Sequence, residues 1–166
     1  LFEAGFSSGS ISLKDLCRGE LSPTITGEVE LLKLAQYIVR GGWPGNLTVP
    51  EKQAGLMAAE YINAILENDV YRLDGVKLNV HKMRLLLKSL ARNESTTATN
   101  KTLKNDIKAV DAEDVDDDTI STYLDVFRRL FLLDNQHPFA PGARSSIRTK
   151  QAEKRHLADP SLACAL

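Results

Sequence analysis

The apolar residues of this chain recur at helical spacing, and this pattern constrains its fold more than any other feature. The clearest segment is DTISTYLDVFRRLFLL, whose apolar stripe consists of Ile120, Tyr123, Leu124, Phe127, Leu130 and Phe131. Residues three or four apart share one face of an α-helix, so the segment predicts a helix with one buried face. Similar stripes predict helices at EVELLKLAQYIVR, from Glu51 to about Asn68, from about Val80 and at TLKNDIKAV, with a short helix at SLKDLCRG.

Residues at the ends of these segments suit helix termini. Thr26 is the predicted N-cap of EVELLKLAQYIVR, where Leu31, Ala35 and Ile38 share one face, and Gly41 is its predicted stop. The stretch TVPE, residues 48–51, matches a capping box with a proline in the first turn, which predicts the next helix start. Asp117 or Asp118 is the predicted N-cap of the helix at DTISTYLDVFRR.

The only tryptophan of the chain lies in the loop RGGWPGNLTVPE. Gly41 and Gly42 permit positive φ at a helix end, and Pro44 restricts Trp43 to an extended conformation. A ring held in this way can pin the loop to the core, with its indole N–H on a backbone carbonyl. The alternative is a rigid wedge that contacts another domain or its nucleotide. Trp43 and Pro44 are therefore the residues predicted to hold the loop against the core or to dock it on another domain.

The order of the later segments is that of a winged helix-turn-helix. A helix, a short helix, a turn and a longer helix precede two short extended stretches, LFLLDNQHPF and SSIRTKQAEKRHLAD. The sequence therefore predicts a mainly α fold with a small two-stranded β-wing. We expect a helical region over residues 1–78 and a winged-helix domain over residues 79–166.

The predicted wing is rich in basic residues. Arg144, Arg148, Lys150, Lys154 and Arg155 surround a single acid, Glu153. Such a stretch can lie along DNA phosphates, and five phosphate contacts predict a log–log salt slope of roughly −4 to −5. The alternative is a solvated edge whose charges prevent strand-to-strand aggregation.

An acidic run opposes DNA binding. The stretch DAEDVDDD, residues 111–118, holds six carboxylates directly before the candidate recognition helix. The N-terminal end of such a helix enters the major groove, where the phosphates would repel it. The carboxylates instead suit the positive end of a helix dipole, which favours a capped helix with a solvated acidic turn.

Composition excludes several classes of function. The net charge of −1 predicts no global attraction to nucleic acid or anionic membranes. Cys17, Cys164 and the three histidines lack ligand spacing, so no metal site is predicted, and no apolar run is long enough for a membrane helix. No phosphate-binding loop and no catalytic constellation is present, so this chain is predicted not to be an enzyme. We expect a cytoplasmic location, and the start at Leu1 and the end in SLACAL suggest a piece of a longer protein.

The sequence resembles the prokaryotic predicted ATPases of the AAA superfamily that carry a C-terminal domain of unknown function. The similar stretches are LFEAGFSSGSISL, RGGWPG, LLLKSLARNESTTATNKTLKNDI, TISTYLDVFRRLFLLDNQHPFAPGARSSIR and KRHLADPSLACAL. The resemblance implies a lid-like helical region and a winged helix, located between an ATPase core and a C-terminal segment. ATP and Mg²⁺ would bind in the parent protein and not in this chain. Arg72 and Arg92 would approach the nucleotide of a neighbouring subunit, which implies a homo-oligomer.

Two functions follow as expectations. In the first, the winged helix of an AAA-type ATP-binding protein contacts the DNA backbone through Arg144, Arg148, Lys150, Lys154 and Arg155. In the second, the chain is a protein-interaction or domain-packing module that binds no nucleic acid. The basic stretch favours the first, whereas the acidic run and the near-zero net charge favour the second.

Overall fold

The structure is a computed structural model that describes residues 5, 7–20, 28–72, 78–111, 114–139 and 152–166. The α-helices of this part of the chain are numbered here in chain order. They are α1 (Leu13–Arg18), α2 (Leu31–Arg40), α3 (Glu51–Ala64), α4 (Val80–Arg92), α5 (Asn100–Asp111), α6 (Asp117–Arg129) and α7 (Pro160–Ala165). The predicted mainly α class is therefore confirmed.

The predicted helices are present, with small differences at their ends. Gly41 ends α2 with φ of +70°, and its N–H donates to the Tyr37 carbonyl. Helix α3 begins at Glu51 and continues as a π-turn over Ile65–Asp69. The predicted capping box at residues 48–51 was wrong, because Pro50 occupies the N-cap position and, in the described part of the chain, no side chain caps the helix start. The predicted N-cap of α6 was one residue or more too late, because Asp116 caps that helix. Thr26 lies outside the described residues.

The core lies among α3, α4, α5, α6 and α7. Its largest fully buried side chains are Ile62, Leu66, Met83, Leu86, Leu87, Leu90, Leu103, Ile107, Ile120, Phe127, Leu132 and Leu162. They come from every one of these helices and from the turns that follow α3 and α6. The apolar stripes of α4, α5 and α6 thus face a common interior, as their spacing predicted. The exception is Phe131, which was predicted to belong to the buried stripe but is 79% exposed beyond the end of α6.

Helix α7 connects the two halves of the chain. It packs against α2 and α3, which precede residue 78, and against α4, which follows it. Leu162 on α7 is 1% exposed and belongs to the same core cluster as Ile62 and Leu86. The boundary at residue 78 remains a prediction, and these contacts show that one continuous core extends across it.

The predicted two-stranded β-wing was wrong. Across the residues that the structure describes there is no strand, and the β-pairing of the two stretches is limited to two isolated antiparallel bridges, Leu133 with Leu157 and Gln136 with Lys154. The ladder between them is interrupted because the His156 N–H donates to the Asn135 side chain at 3.3 Å. Beyond the outer bridge, Pro138 has no N–H to continue the pairing.

Candidate functional site

The GGWP loop is attached to the start of α7. The Trp43 indole N–H donates to the Ser161 hydroxyl at 2.8 Å, and this hydroxyl donates to Asp159 Oδ1 at 2.6 Å. The other oxygen of Asp159 accepts the Gly42 N–H at 2.7 Å. Asp159 is also the N-cap of α7 through the Ser161 N–H, at 2.9 Å. One carboxylate therefore caps a helix and holds a loop that is more than a hundred residues away in sequence.

The ring of Trp43 is half-buried and packs against the core. Its centroid lies 4.8 Å from that of Tyr61 on α3, with the two planes tilted by 52°. Trp43 is extended, with φ −69° and ψ 120°, as the following Pro44 requires. The predicted indole acceptor was a backbone carbonyl, whereas the acceptor is the hydroxyl of Ser161. Pro44 is exposed beside the ring, and the role of these two residues in docking another domain remains a prediction.

Only part of the basic stretch lies among the described residues. Arg144, Arg148 and Lys150 lie outside them, whereas Lys154 is exposed and Arg155 is half-buried. The Arg155 guanidinium donates to the Ala98 carbonyl and to Asn100 Oδ1, both at 3.0 Å. Burial lowers the pKa of Arg155 from its usual value. This side chain therefore holds the segment before α7 against the start of α5.

Neighbouring basic groups offset part of the acidic run. Asp111 pairs with His81 at 2.6 Å, and Asp114 lies 3.5 Å from Lys104 Nζ. Asp116 accepts the Thr119 N–H at 2.7 Å and the Thr119 hydroxyl at 2.9 Å. Asp117 and Asp118 occupy the first turn of α6. The N-terminal end of the candidate recognition helix therefore presents carboxylates, as its sequence predicted.

Glu153 joins α6 to the segment before α7. Its carboxylate lies 3.3 Å from Arg128 and 2.9 Å from His137, and it accepts the Asn135 amide at 3.0 Å. Burial alone would raise the pKa of Glu153, but the Asn135 hydrogen bond and the charges of His137, Arg128 and Arg155 together lower it. The single acid of the basic stretch thus contacts Arg128 of α6 and His137 of the preceding segment.

The two arginines that were predicted to approach a nucleotide occupy different surroundings. Arg72 is exposed in a short 3₁₀ turn and pairs with Asp69 at 3.3 Å. Arg92 is exposed in the last turn of α4, at the rim of an apolar groove between α4, α5 and α7. Among the residues that the structure describes, no group of histidine, cysteine or acidic side chains could hold a metal ion. In the same residues, no helix is long and apolar enough to cross a membrane.

Helix α2 carries a feature that sequence reasoning did not anticipate. The residues of α2 that the rest of the molecule partly covers are Gln36, Tyr37 and Arg40, and no residue of this helix is buried. Its apolar face, by contrast, is exposed to solvent and consists of Leu31, Leu32, Leu34, Ala35, Ile38 and Val39. Leu31 is 81% exposed and Leu32 is 69% exposed. We call this set of six residues the α2 apolar face.

Local contacts explain the orientation of α2. Gly41 and Gly42 turn the chain sharply toward Asp159, which holds the C-terminal end of α2 near α7. The Asn46 side chain donates to the Arg40 carbonyl at 3.0 Å, and a Cβ on Gly55 would lie 3.1 Å from Val39 Cγ1. The contacts of Gly42 and Arg40 place the C-terminal end of the polar side of α2 against the protein, and Val39, at the edge of the apolar face, lies close to Gly55 of α3. An amphipathic pattern alone contains no signal for this orientation, because it predicts a buried apolar face.

Comparison with known proteins identifies a family but no described activity. No curated protein and no solved structure matches the chain. A family model described as Domain of unknown function (DUF8612) matches residues 31–166, which include α2 through α7 and the GGWP loop. Since that match covers most of the sequence, the chain belongs to the family described as Domain of unknown function (DUF8612).

Proposed function

We propose that this chain is a non-catalytic protein-interaction module that docks through the α2 apolar face. The observation that carries the proposal is the orientation of α2, with its polar side against the protein and its apolar side in water. Leaving aliphatic side chains in water is unfavourable by about 25 cal/mol for each Å². A helix with this orientation gains stability when another surface covers it.

The size of the exposed surface fits this function. Val29, just before α2, is 63% exposed and extends the apolar face toward its N-terminal end. With roughly 100 Å² of apolar surface for a fully exposed aliphatic side chain, the face and Val29 together present roughly 350 Å². A contiguous apolar patch of ~300–600 Å² on a monomer is often functional.

The rival function, contact with the DNA backbone, has less support. Of the five basic residues that it requires, Arg155 is engaged in hydrogen bonds to Ala98 and Asn100. The start of α6 carries Asp116, Asp117 and Asp118, which a duplex would repel. These two observations favour a protein partner over nucleic acid.

The resemblance to AAA-superfamily ATPases suggests the context of this module. We propose that it packs between domains or subunits of a longer ATP-binding protein, whose ATP and Mg²⁺ bind outside this chain. Arg72 and Arg92 are exposed in this chain, and their approach to a neighbouring nucleotide remains part of the proposal. We also propose a cytoplasmic location, in keeping with Cys17 and Cys164, which are exposed and not joined in a disulfide.

The first test measures whether the α2 apolar face binds an apolar probe. Fluorescence of anilinonaphthalene sulfonate is compared between the natural protein and a Leu31→Glu/Ile38→Glu variant, at low protein concentration. We expect the natural protein to enhance the dye signal and the variant to lose most of that enhancement. The matched control is Leu13→Glu, since Leu13 on α1 is also largely exposed. An equal loss in the control, or no dye binding by the natural protein, would contradict the proposal.

A second measurement separates the proposal from DNA binding. Fluorescence anisotropy of labelled duplex and single-stranded DNA is recorded at low and moderate salt. We expect no salt-dependent binding. Binding that falls steeply with salt and disappears in an Arg148→Glu/Lys150→Glu/Lys154→Glu variant would replace our proposal with the DNA-binding function. Arg155 is left intact in that variant because its hydrogen bonds support the fold.

A further inference from the structure

We infer that the partner of the α2 apolar face is a second copy of this chain, with the two α2 helices antiparallel about a two-fold axis. The inference rests on the proposed function and specifies its partner. Two-fold dimers are the commonest soluble oligomers, and their interface requires a surface that is complementary to itself. The composition and charge of α2 meet this requirement.

The apolar face is self-complementary when α2 is reversed. In an antiparallel pair centred between Leu34 and Ala35, Leu31 lies opposite Ile38 of the second copy, and Leu34 lies opposite Ala35 of the second copy. Residues Leu31, Leu34 and Ile38 follow the spacing of three and four that lines the contact between paired helices. The small side chain of Ala35 near the axis allows the two backbones to approach closely.

The charges near the two ends of α2 are also complementary in this arrangement. Glu28 and Glu30 are exposed at the N-terminal end. Lys52 is exposed near the C-terminal end of α2, on the first turn of α3 and one turn before Gly55, which lies close to Val39. A reversed second copy brings its acidic end to the basic end of the first. Opposite charges at an interface fix its orientation more than they raise its affinity.

The exposed area corresponds to a weak dimer. Covering the α2 apolar face and Val29 on both copies buries roughly 700 Å² of apolar surface. Apolar atoms make up about 60% of such interfaces, so the total is about 1,200 Å². This is slightly above the ~1,000 Å² that a biological interface requires. We therefore expect a dissociation constant in the micromolar range and a monomer in dilute solution.

The test is sedimentation velocity of the full chain over a concentration series that spans the micromolar range. We expect a monomer–dimer equilibrium for the natural protein and at least a tenfold weaker dimer for Leu34→Glu. The matched control is Val110→Glu, which adds the same charge at an exposed apolar position on α5 and should leave the equilibrium unchanged. A natural protein that stays monomeric throughout, or an equal effect of both variants, would overturn the inference.

Charge reversal tests the antiparallel orientation. Glu28→Lys/Glu30→Lys should weaken the dimer, and so should Lys52→Glu, because each opposes like charges across the interface. The triple variant should recover much of the lost affinity, since it restores opposite charges. No recovery in the triple variant would exclude the antiparallel pairing.

Disulfide trapping tests the position of the axis. In a Cys17→Ser/Cys164→Ser background, oxidised Ala35→Cys should form a covalent dimer, because the two positions lie close to the axis. Leu31→Cys should not, since its counterpart lies about 10 Å further along the helix and a disulfide spans at most about 7 Å between Cα atoms. The opposite result would overturn the proposed register.

Failure of the inference and failure of the proposed function give different results. If the natural protein stays monomeric while the apolar probe binds in a manner that requires Leu31 and Ile38, the second copy is excluded and docking through α2 stands. If the natural protein is monomeric and the probe does not bind to α2, both are excluded.

Discussion

At the scale of single residues, two positions with positive φ both favour glycine, and only one of them has it. Gly41 has φ of +70°, and a Cβ there would collide with Asp159 Oδ1 and lie 2.5 Å from Ser161 Oγ. Phe131 has φ of +55° although it is a bulky aromatic residue, and it is 79% exposed. Glycine is thus required at the first position and would be preferred at the second.

Replacing Gly41 should be strongly destabilising. We expect Gly41→Ala to lower the free energy of unfolding by about 2–4 kcal/mol, because the new methyl group is strained by the backbone and collides with the cap of α7. Urea unfolding followed by Trp43 fluorescence measures this change. The control is Gly45→Ala, where an added Cβ meets no atom within 4 Å, so a change within about 0.5 kcal/mol is expected. Equal effects of the two variants would show that the attachment to Asp159 contributes little.

Replacing Phe131 with glycine should have the opposite sign. The Leu132 N–H donates to the Phe127 carbonyl at 2.9 Å, which places Phe131 at the left-handed position that commonly ends a helix. We expect Phe131→Gly to raise the free energy of unfolding by about 1 kcal/mol, since glycine relieves the strain and the exposed ring loses little packing. Phe131→Ala removes the ring and retains the strain, so it should not stabilise. If thermal unfolding shows that both variants are stabilised, the gain comes from removal of the Phe131 ring and not from relief of backbone strain.

At the scale of elements, α2 and α6 have similar amphipathic patterns, but the apolar face is buried in α6 and exposed in α2. Ile120, Tyr123, Leu124 and Phe127 of α6 are buried, as the spacing predicted, whereas every aliphatic residue of α2 is exposed. Periodicity identifies one apolar face, but it does not determine which neighbour covers it. The acidic N-terminal end of α6 could be predicted, because capping depends on residues that are close in sequence.

The cap of α6 should make stability depend on pH. Hydrogen bonds from the Thr119 backbone N–H, and then from its hydroxyl, lower the pKa of Asp116 below the usual 3.8. Because the folded-state pKa is lowered, the stabilisation is complete above pH 3.8 and is lost as the pH falls through the lower folded-state value. Asp116→Ala should therefore lower the Tm near neutral pH, and the difference from the natural protein should shrink below pH 3.8.

The matched control for this measurement is Asp117→Ala, one residue further into α6. No hydrogen bond of the helix start is assigned to the Asp117 side chain, whereas Asp116 accepts two from Thr119. At neutral pH, Asp117→Ala should therefore lower the Tm less than Asp116→Ala does. A Tm difference for Asp116→Ala that stays constant through acid would contradict the capping role.

At the scale of the whole molecule, α7 closes the core from the far end of the sequence. Leu162 is 1% exposed, and Asp159 and Ser161 hold the loop after α2. The contacts of α7 with α2, α3 and α4 join segments from both sides of the predicted boundary at residue 78. We therefore expect the chain to unfold in a single transition.

Removing the Leu162 side chain tests this closure. We expect Leu162→Ala to lower the free energy of unfolding by about 2–5 kcal/mol, because it leaves a cavity among α3, α4 and α7. Trp43 fluorescence reports unfolding of the first half of the chain, and far-UV circular dichroism reports loss of helix throughout. The unfolding transitions that the two probes record should shift together. Cys164→Ala on the exposed side of the same helix is the control and should change little. Separate transitions for the two probes would support two independent domains.

Local chemistry alone located the helices and the sharp turn at Gly41, since these depend on residues within a few positions of each other, although the capping residues of α3 and α6 differ from those predicted. The tertiary structure decided what lies far apart in sequence: the hydroxyl of Ser161 as the acceptor for Trp43, the internal hydrogen bonds of Arg155 and the absence of a paired wing among the described residues. It also turned the apolar face of α2 outward. The physical reason is that spacing specifies which residues share a face, whereas only the packed chain specifies what that face meets.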